Sequence, residues 1–571
     1  MSPRSQLAVE VACVVALGVG VSVAAAWGTE LGQAVLGNQQ ADKWGAIYLH
    51  DAFHRALSGG SFPLVDHEQL WPVGAPLAAM NGDNVVEMLV SGLFRLVATW
   101  PGWFNLAHLA WPPLLALAFL PLGHRLWSGG GLQSALTRVS AALCWAMSPV
   151  FFGEIAAGRL TQVVLVGLPL ALAQLSLATE RVLTRRELIL GAAGVAITGL
   201  GYWYYAVFLA LLAPVFLVVA HLAGRGIATV RSFAWMGLGA AVMVSPALFG
   251  VVWASVSTGV SVSLPLPPGG LSPVFDNALQ LARAQPEQLR GWLPWALVPG
   301  LLLASVASVR RRGSSALWLA LAAVALAFAL GPGQRLGERV WLLPYYPLWK
   351  AVPLLERLTH PSRWLDFGMI FVVVASFGGL ATLKRGPWLA PLVPALLVGQ
   401  LFIQRTLPLP SFRMPLPPLW AEVARGKGAV IVVPVMHAPD SCRWQAFHHR
   451  PVLGGMAEGL PFAWPPAFRK GFEDSAILLQ LLAMGDGKLG TLDLRQGDVD
   501  VLLEQGFTQL VLDMEAWRRW GRGGGVDPLL VLSASFGAPI YSGPEGAVWP
   551  LPTTVAPGHA SPPMGIRLPP P

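Results

Sequence analysis

Long apolar runs separated by short polar connections dominate the first two thirds of the chain, and a bilayer core takes about 20 apolar residues per helix. About eleven runs approach that length: 7–27, 104–123, 139–152, 160–178, 188–201, 205–222, 235–256, 292–309, 314–331, 366–383 and 388–404. The stretch 85–97 is apolar but interrupted by Glu87 and Arg95, and it predicts an amphipathic helix at the interface. Pro112, Pro113, Pro149, Pro169 and Pro246 fall inside the runs and predict kinked spans.

From residue 406 the pattern shortens. Residues 428–434 and 509–513 read as buried strands, 476–484 as a helix, and 538–541 with 547–550 as a terminal hairpin. The expected fold is therefore a polytopic α-helical membrane protein. Residues 1–405 form its transmembrane domain, with residues 28–103 as a first outer loop carrying interfacial helices. Residues 406–571 form a small α/β extracytoplasmic domain with a Pro-rich tail.

Composition agrees. Of 571 residues, 54% are hydrophobic and 12% are charged. That is about half the charge of a soluble domain, which excludes a soluble enzyme and a disordered chain. The placement of charge then orients the spans. With the N-terminus cytoplasmic, the inner loops hold twelve basic residues against two acidic ones. The first outer loop holds three basic against seven acidic. The segment 332–365 breaks this pattern, with Arg335, Arg339, Lys350, Arg357 and Arg363 against Glu338 and Glu356 on the outer side. Binding an anionic group is the simplest reason for such an excess.

A cleaved secretory leader is the lesser reading of the first run, because its apolar stretch is long for a signal. Three cysteines, Cys13, Cys144 and Cys442, exclude a disulfide framework. Phosphate-loop, zinc-protease and nucleophile-elbow motifs are missing. His448 and His449 read as surface histidines, and Glu10 is the main charge inside a span.

Candidate chemistry sits at span ends. Asp42 opens a helical stretch, 42–57, that would rest on the membrane surface. It can cap that helix or serve as a base on a hydroxyl, and both roles remain open. Glu154 and Arg159 flank a turn and are compatible with a plain ion pair. Arg357, His360 and Arg363 suit phosphate oxygens or, equally, lipid headgroups. Tyr202, Trp203, Tyr204 and Tyr205 read as an interfacial aromatic belt, with sugar stacking the lesser alternative. His54 and Asp83 complete, with Glu154 and Arg159, the candidates for substrate contact.

Taken together, the Asp42-Lys43-Trp44 stretch, His54-Arg55-Ala56-Leu57, Leu70-Trp71-Pro72-Val73-Gly74, Ser148-Pro149, Gly158-Arg159-Leu160 and Pro361-Ser362-Arg363 resemble the bacterial membrane glycosyltransferases of the GT-C superfamily. The resemblance implies a polyprenyl-phosphate-linked sugar donor, an acceptor of the cell envelope and an inverting transfer at the outer face of the inner membrane. It implies Asp42 as base or acceptor-binding residue and a phosphate role for Arg363. Membrane lipid is an expected partner and nucleic acid is not. No cofactor is implied firmly, and a divalent cation stays open. A lipid or polysaccharide flippase and a non-catalytic envelope assembly factor are the alternatives.

Overall fold

The computed structural model describes residues 3–39, 41–61, 64–78, 84–222, 224–260, 294–311, 314–336, 339–352, 355, 360–437, 439–459, 464–521 and 525–554. Arg357 and Asp83, two of the candidate site residues, lie outside them. Each of the eleven apolar runs contains a helix. Among the described residues, seven helical segments are long and apolar enough to cross a membrane: Arg4–Ala25, Gly102–Leu126, Leu132–Ala157, Trp203–Leu222, Gly226–Thr258, Arg363–Leu380 and Gly386–Ile403. The chain is a polytopic helical membrane protein.

Proline acts differently from the kinks expected of it. Pro112, Pro149 and Pro169 sit in the first turns of the helices Trp111–Leu126, Pro149–Ala157 and Leu168–Ala178. Their missing N–H costs nothing there, because a first turn has no intrahelical acceptor for it. Pro246 is interior to its helix, as are Pro121 and Pro214. The run 160–178 is correspondingly less regular than expected. It opens with a single 3-10 turn at Leu160–Gln162 and becomes α-helical only at Leu168–Ala178.

The described residues form two compact units, and the division does not follow a single cut at residue 405. The first unit gathers 1–38, 83–246 and 266–413. A short antiparallel pair joins β1 (Ala34–Leu36) to β4 (Ser411–Arg413), and β2 (Gly333–Leu336) pairs with β3 (Arg339–Leu342). Its core is helical, and Arg363–Leu380 is its most enclosed helix. Gly379 and Gly300 bring that helix against Val298–Arg311. A Cβ on Gly379 would stand 2.1 Å from the Gly300 carbonyl oxygen, so the two backbones meet where no side chain fits.

Glu10 is held in a packed ion pair. Its carboxylate accepts from Arg138 Nη2 at 2.6 Å and Nε at 3.0 Å, and both side chains are almost fully buried. Arg138 also donates to the carbonyls of Trp127 and Gly129. This charge inside a span is thus spent on helix packing.

The second unit gathers 39–82, 247–265 and 414–571. Its sheet has the order β5–β6–β8–β7, with β5 (Ala429–Val433) and β6 (Phe507–Asp513) parallel. The strands β7 (Tyr541–Gly543) and β8 (Gly546–Pro550) form the expected terminal hairpin, with β8 antiparallel to β6. All five residues of β5 are buried, which explains its unbroken apolar sequence.

The helix expected on the membrane surface runs Ala41–Ser58 and is enclosed on both faces. Trp44, Ile47 and Tyr48 are buried, but so are Lys43, His50, Asp51 and His54. It packs in this unit against the helix Cys442–His448, and the Arg443 guanidinium lies 4.6 Å from the Trp44 ring. Its polar face is satisfied by protein: Arg55 grips Glu68 and Asp51, and Tyr48 donates to Asp66 at 2.6 Å. Leu70 of the Leu70-Trp71-Pro72-Val73-Gly74 turn joins the core, and Trp71 Nε1 donates to the Gln505 carbonyl at 2.7 Å.

Candidate active site

In the first unit, polar side chains converge around the start of the helix Arg363–Leu380. Pro361 excludes a continuous helix, and the chain enters through a turn in which Arg363 N–H donates to the His360 carbonyl at 3.1 Å. Arg363 and Asp366 are both in the first turn of the helix, three residues apart and therefore on one face. His360, on the turn itself, is half-buried.

The Arg363 guanidinium lies 5.0 Å from the Tyr202 ring and 5.9 Å from that of Tyr204. These rings are presented by a break between the helices Arg185–Gly201 and Trp203–Leu222, where Tyr202 is extended. Tyr202 and Tyr205 are buried, so the tyrosine cluster is an inward wall and not the lipid-facing belt expected of it. Tyr205 donates to the Gln162 carbonyl at 2.9 Å, and Trp364 stacks on Phe208 at 3.8 Å.

Glu154 and Arg159 face the same place. The helix Pro149–Ala157 ends at Gly158, whose φ of +82° reverses the chain. Arg159 N–H then bonds the Glu154 carbonyl at 3.0 Å, and its guanidinium returns to the Glu154 carboxylate through both Nε and Nη2. The ion pair anticipated at this turn is present and bidentate. Asp366 lies within electrostatic reach of Glu154, Arg159 and Arg363, and Tyr205 within reach of Asp366, Glu154 and Arg159.

Three of the anticipated residues, Glu154, Arg159 and Arg363, are thus brought together with His360 alongside. Asp366 was missed. A carboxylate at the head of an apolar, bilayer-length run is expensive, and that expense was the available signal. Among the described residues, no three His, Cys, Asp or Glu side chains gather as a metal-ligating group.

The second unit holds two of the other anticipated residues, Asp42 and His54. Asp42 is the exposed second residue of its helix. The adjacent Lys43 is fully buried, and burial pulls its ammonium down to about 7. His54 is buried on the same helix beside Phe53. His448 is no surface histidine: it stacks on Trp420 at 5.4 Å, and its Nδ1 accepts from the Arg450 N–H at 3.1 Å. Burial, then the charges of Arg450, His449 and Arg55, hold it down at about 3. His449 is exposed, 3.5 Å from Asp51.

No protein-family model matches the sequence, and no curated protein matches it. Solved structures do. The chain is similar to the oligosaccharyltransferase of Archaeoglobus fulgidus, with a TM-score of 0.51 at 12% identity, covering 91% of this chain and 72% of that one. It is also similar to the arabinofuranosyltransferase AftD from Mycobacteria, with a TM-score of 0.56 at 17% identity, covering 96% of this chain and 40% of that one. At such identities the likeness is one of fold. The chain shares its fold with these two structures.

Proposed function

We propose that the protein transfers a sugar from a polyprenyl-phosphate carrier to an envelope acceptor at the outer face of the cytoplasmic membrane. The observation that carries this reading is the cationic and aromatic cluster at the head of the helix Arg363–Leu380, in a fold shared with two enzymes that transfer sugars. A phosphate leaving group needs a fixed cation. Arg363, held against two tyrosine rings, supplies a planar fork whose donors suit phosphate oxygens. His360 and Arg357 would add to the clamp. Arg159 is already engaged by Glu154, which suits it to shaping the site more than to binding phosphate directly.

In this reading Asp42 is the base that takes the acceptor hydroxyl's proton, and His54 and Asp83 are candidates for substrate contact. Exposure at the first turn of its helix supports that role, because a base must be reachable. The charge pattern of the loops supports a cytoplasmic N-terminus and an outer location for the second unit.

The test uses purified protein and undecaprenyl phosphate without sugar. Arg363→Ala is expected to weaken its binding by roughly tenfold or more, the scale of one charge-assisted hydrogen-bonding group. Unchanged affinity removes Arg363 from the phosphate site.

A further inference from the structure

Asp366 is the most costly group in the first unit. Its side chain is 95% enclosed (5% exposed), yet no described residue donates a hydrogen bond to it. A first-turn carboxylate gains something from the helix dipole, but that gain is about 1 kcal/mol and does not offset burial without donors. Other buried polar atoms around the head of this helix also lack a hydrogen-bond partner among the described residues. The Tyr202 hydroxyl is buried with no hydrogen-bond partner among the described residues. The Trp364 N–H and the Tyr345 hydroxyl lie near each other, and neither meets hydrogen-bond geometry with a described group. Buried polar groups are normally satisfied, so a cluster of unsatisfied ones marks a place where something polar binds.

The chemistry of the cluster identifies that ligand. A carboxylate accepts and does not donate, so it calls for hydroxyl or N–H donors. Flat aromatic faces beside it call for C–H surface. A sugar ring offers both. Resting on the sugar-transfer reading above, we propose that Asp366, together with the Tyr202 that lies against Arg363, binds the hydroxyl next to the anomeric carbon of the donor sugar. Its position fits, because it stands one helical turn beyond Arg363, with side-chain bases about 5–6 Å apart. A phosphate on Arg363 therefore sets the first carbon of the sugar beside Asp366. Glu154, turned toward the same place, is engaged by Arg159, which leaves Asp366 as the carboxylate with no hydrogen-bond donor among the described residues.

The test compares undecaprenyl phosphate with undecaprenyl-phosphate-linked mannose, glucose and arabinofuranose, and with the 2-deoxy form of whichever sugar the wild type turns over. For Asp366→Asn, KM for the sugar lipid is expected to rise roughly tenfold or more, with affinity for undecaprenyl phosphate within twofold of wild type. Wild type should discriminate against the 2-deoxy donor, and the variant should lose most of that discrimination. Tyr202→Phe, which removes a hydroxyl with no hydrogen-bond partner among the described residues, should raise KM several-fold with no loss of thermal stability. Equal loss of both lipids, or undiminished discrimination in both variants, overturns the proposal while leaving sugar transfer intact. A wild type that binds neither lipid nor turns over any donor removes the transfer reading, and this inference with it.

Discussion

Single side chains divide into those that serve packing and those left with something to bind. Glu10 and Arg138 belong to the first kind, each satisfied by the other inside the helical core. Removing one member strands a buried charge, so Arg138→Ala should cost about 3–5 kcal/mol, read as a lower unfolding midpoint in detergent. A midpoint within a degree of wild type would show the pair to be dispensable. His448 gives a second expectation, with a definite sign. Its folded value of about 3 lies below the usual 6.5, so the unfolded chain binds the extra proton first. The stability it contributes is fully present above pH 6.5 and is lost as pH falls toward 3, amounting to about 2 kcal/mol by pH 5. His448→Asn should flatten the stability profile of this unit between pH 6.5 and 5, and a profile of unchanged slope there would count against the assignment. Asp366 is of the second kind, and little in the sequence distinguished it from a span boundary. What made it visible was the folded neighbourhood of Glu154, Arg159 and Arg363, contributed by segments some two hundred residues apart.

Helices and strands were largely legible, and the exceptions have physical causes. Apolar runs located the helices because a bilayer imposes length and composition together, and strand β5 showed as an unbroken apolar stretch because both its faces are covered. Proline misled where it stands in a first turn, since periodicity alone does not separate one kinked helix from two helices meeting at Pro149. The helix Ala41–Ser58 misled for another reason. Its amphipathic pattern is real, but its polar side chains are met by protein groups: Arg55 by Glu68 and Tyr48 by Asp66. Close approach between the helices Val298–Arg311 and Arg363–Leu380 gives an element-scale prediction. Gly379→Ala forces a methyl into the Gly300 backbone and should destabilise by about 1–3 kcal/mol. Because that helix carries Arg363 and Asp366, affinity for undecaprenyl phosphate should fall with it. Normal stability together with normal binding would show that the contact relaxes freely.

At the scale of the molecule, the likeness to the two solved structures extends over 91% and 96% of the chain, so it takes in both the helical membrane unit and the unit with the mixed sheet. The grouping of residues 39–82 with the C-terminal segment was not legible, because contacts between remote segments leave no local pattern. The central claim is transfer of sugar from a lipid phosphate, and turnover tests it most directly. Purified protein is incubated with undecaprenyl-phosphate-linked mannose, glucose and arabinofuranose and an envelope glycan acceptor, and the products are followed by mass spectrometry. The account predicts release of free undecaprenyl phosphate with a matching mass gain on the acceptor, abolished in Asp42→Asn while the variant still inserts in the membrane. No release from any donor, or release at the parental rate by Asp42→Asn, would contradict it: the first outcome removes the activity, and the second removes the base.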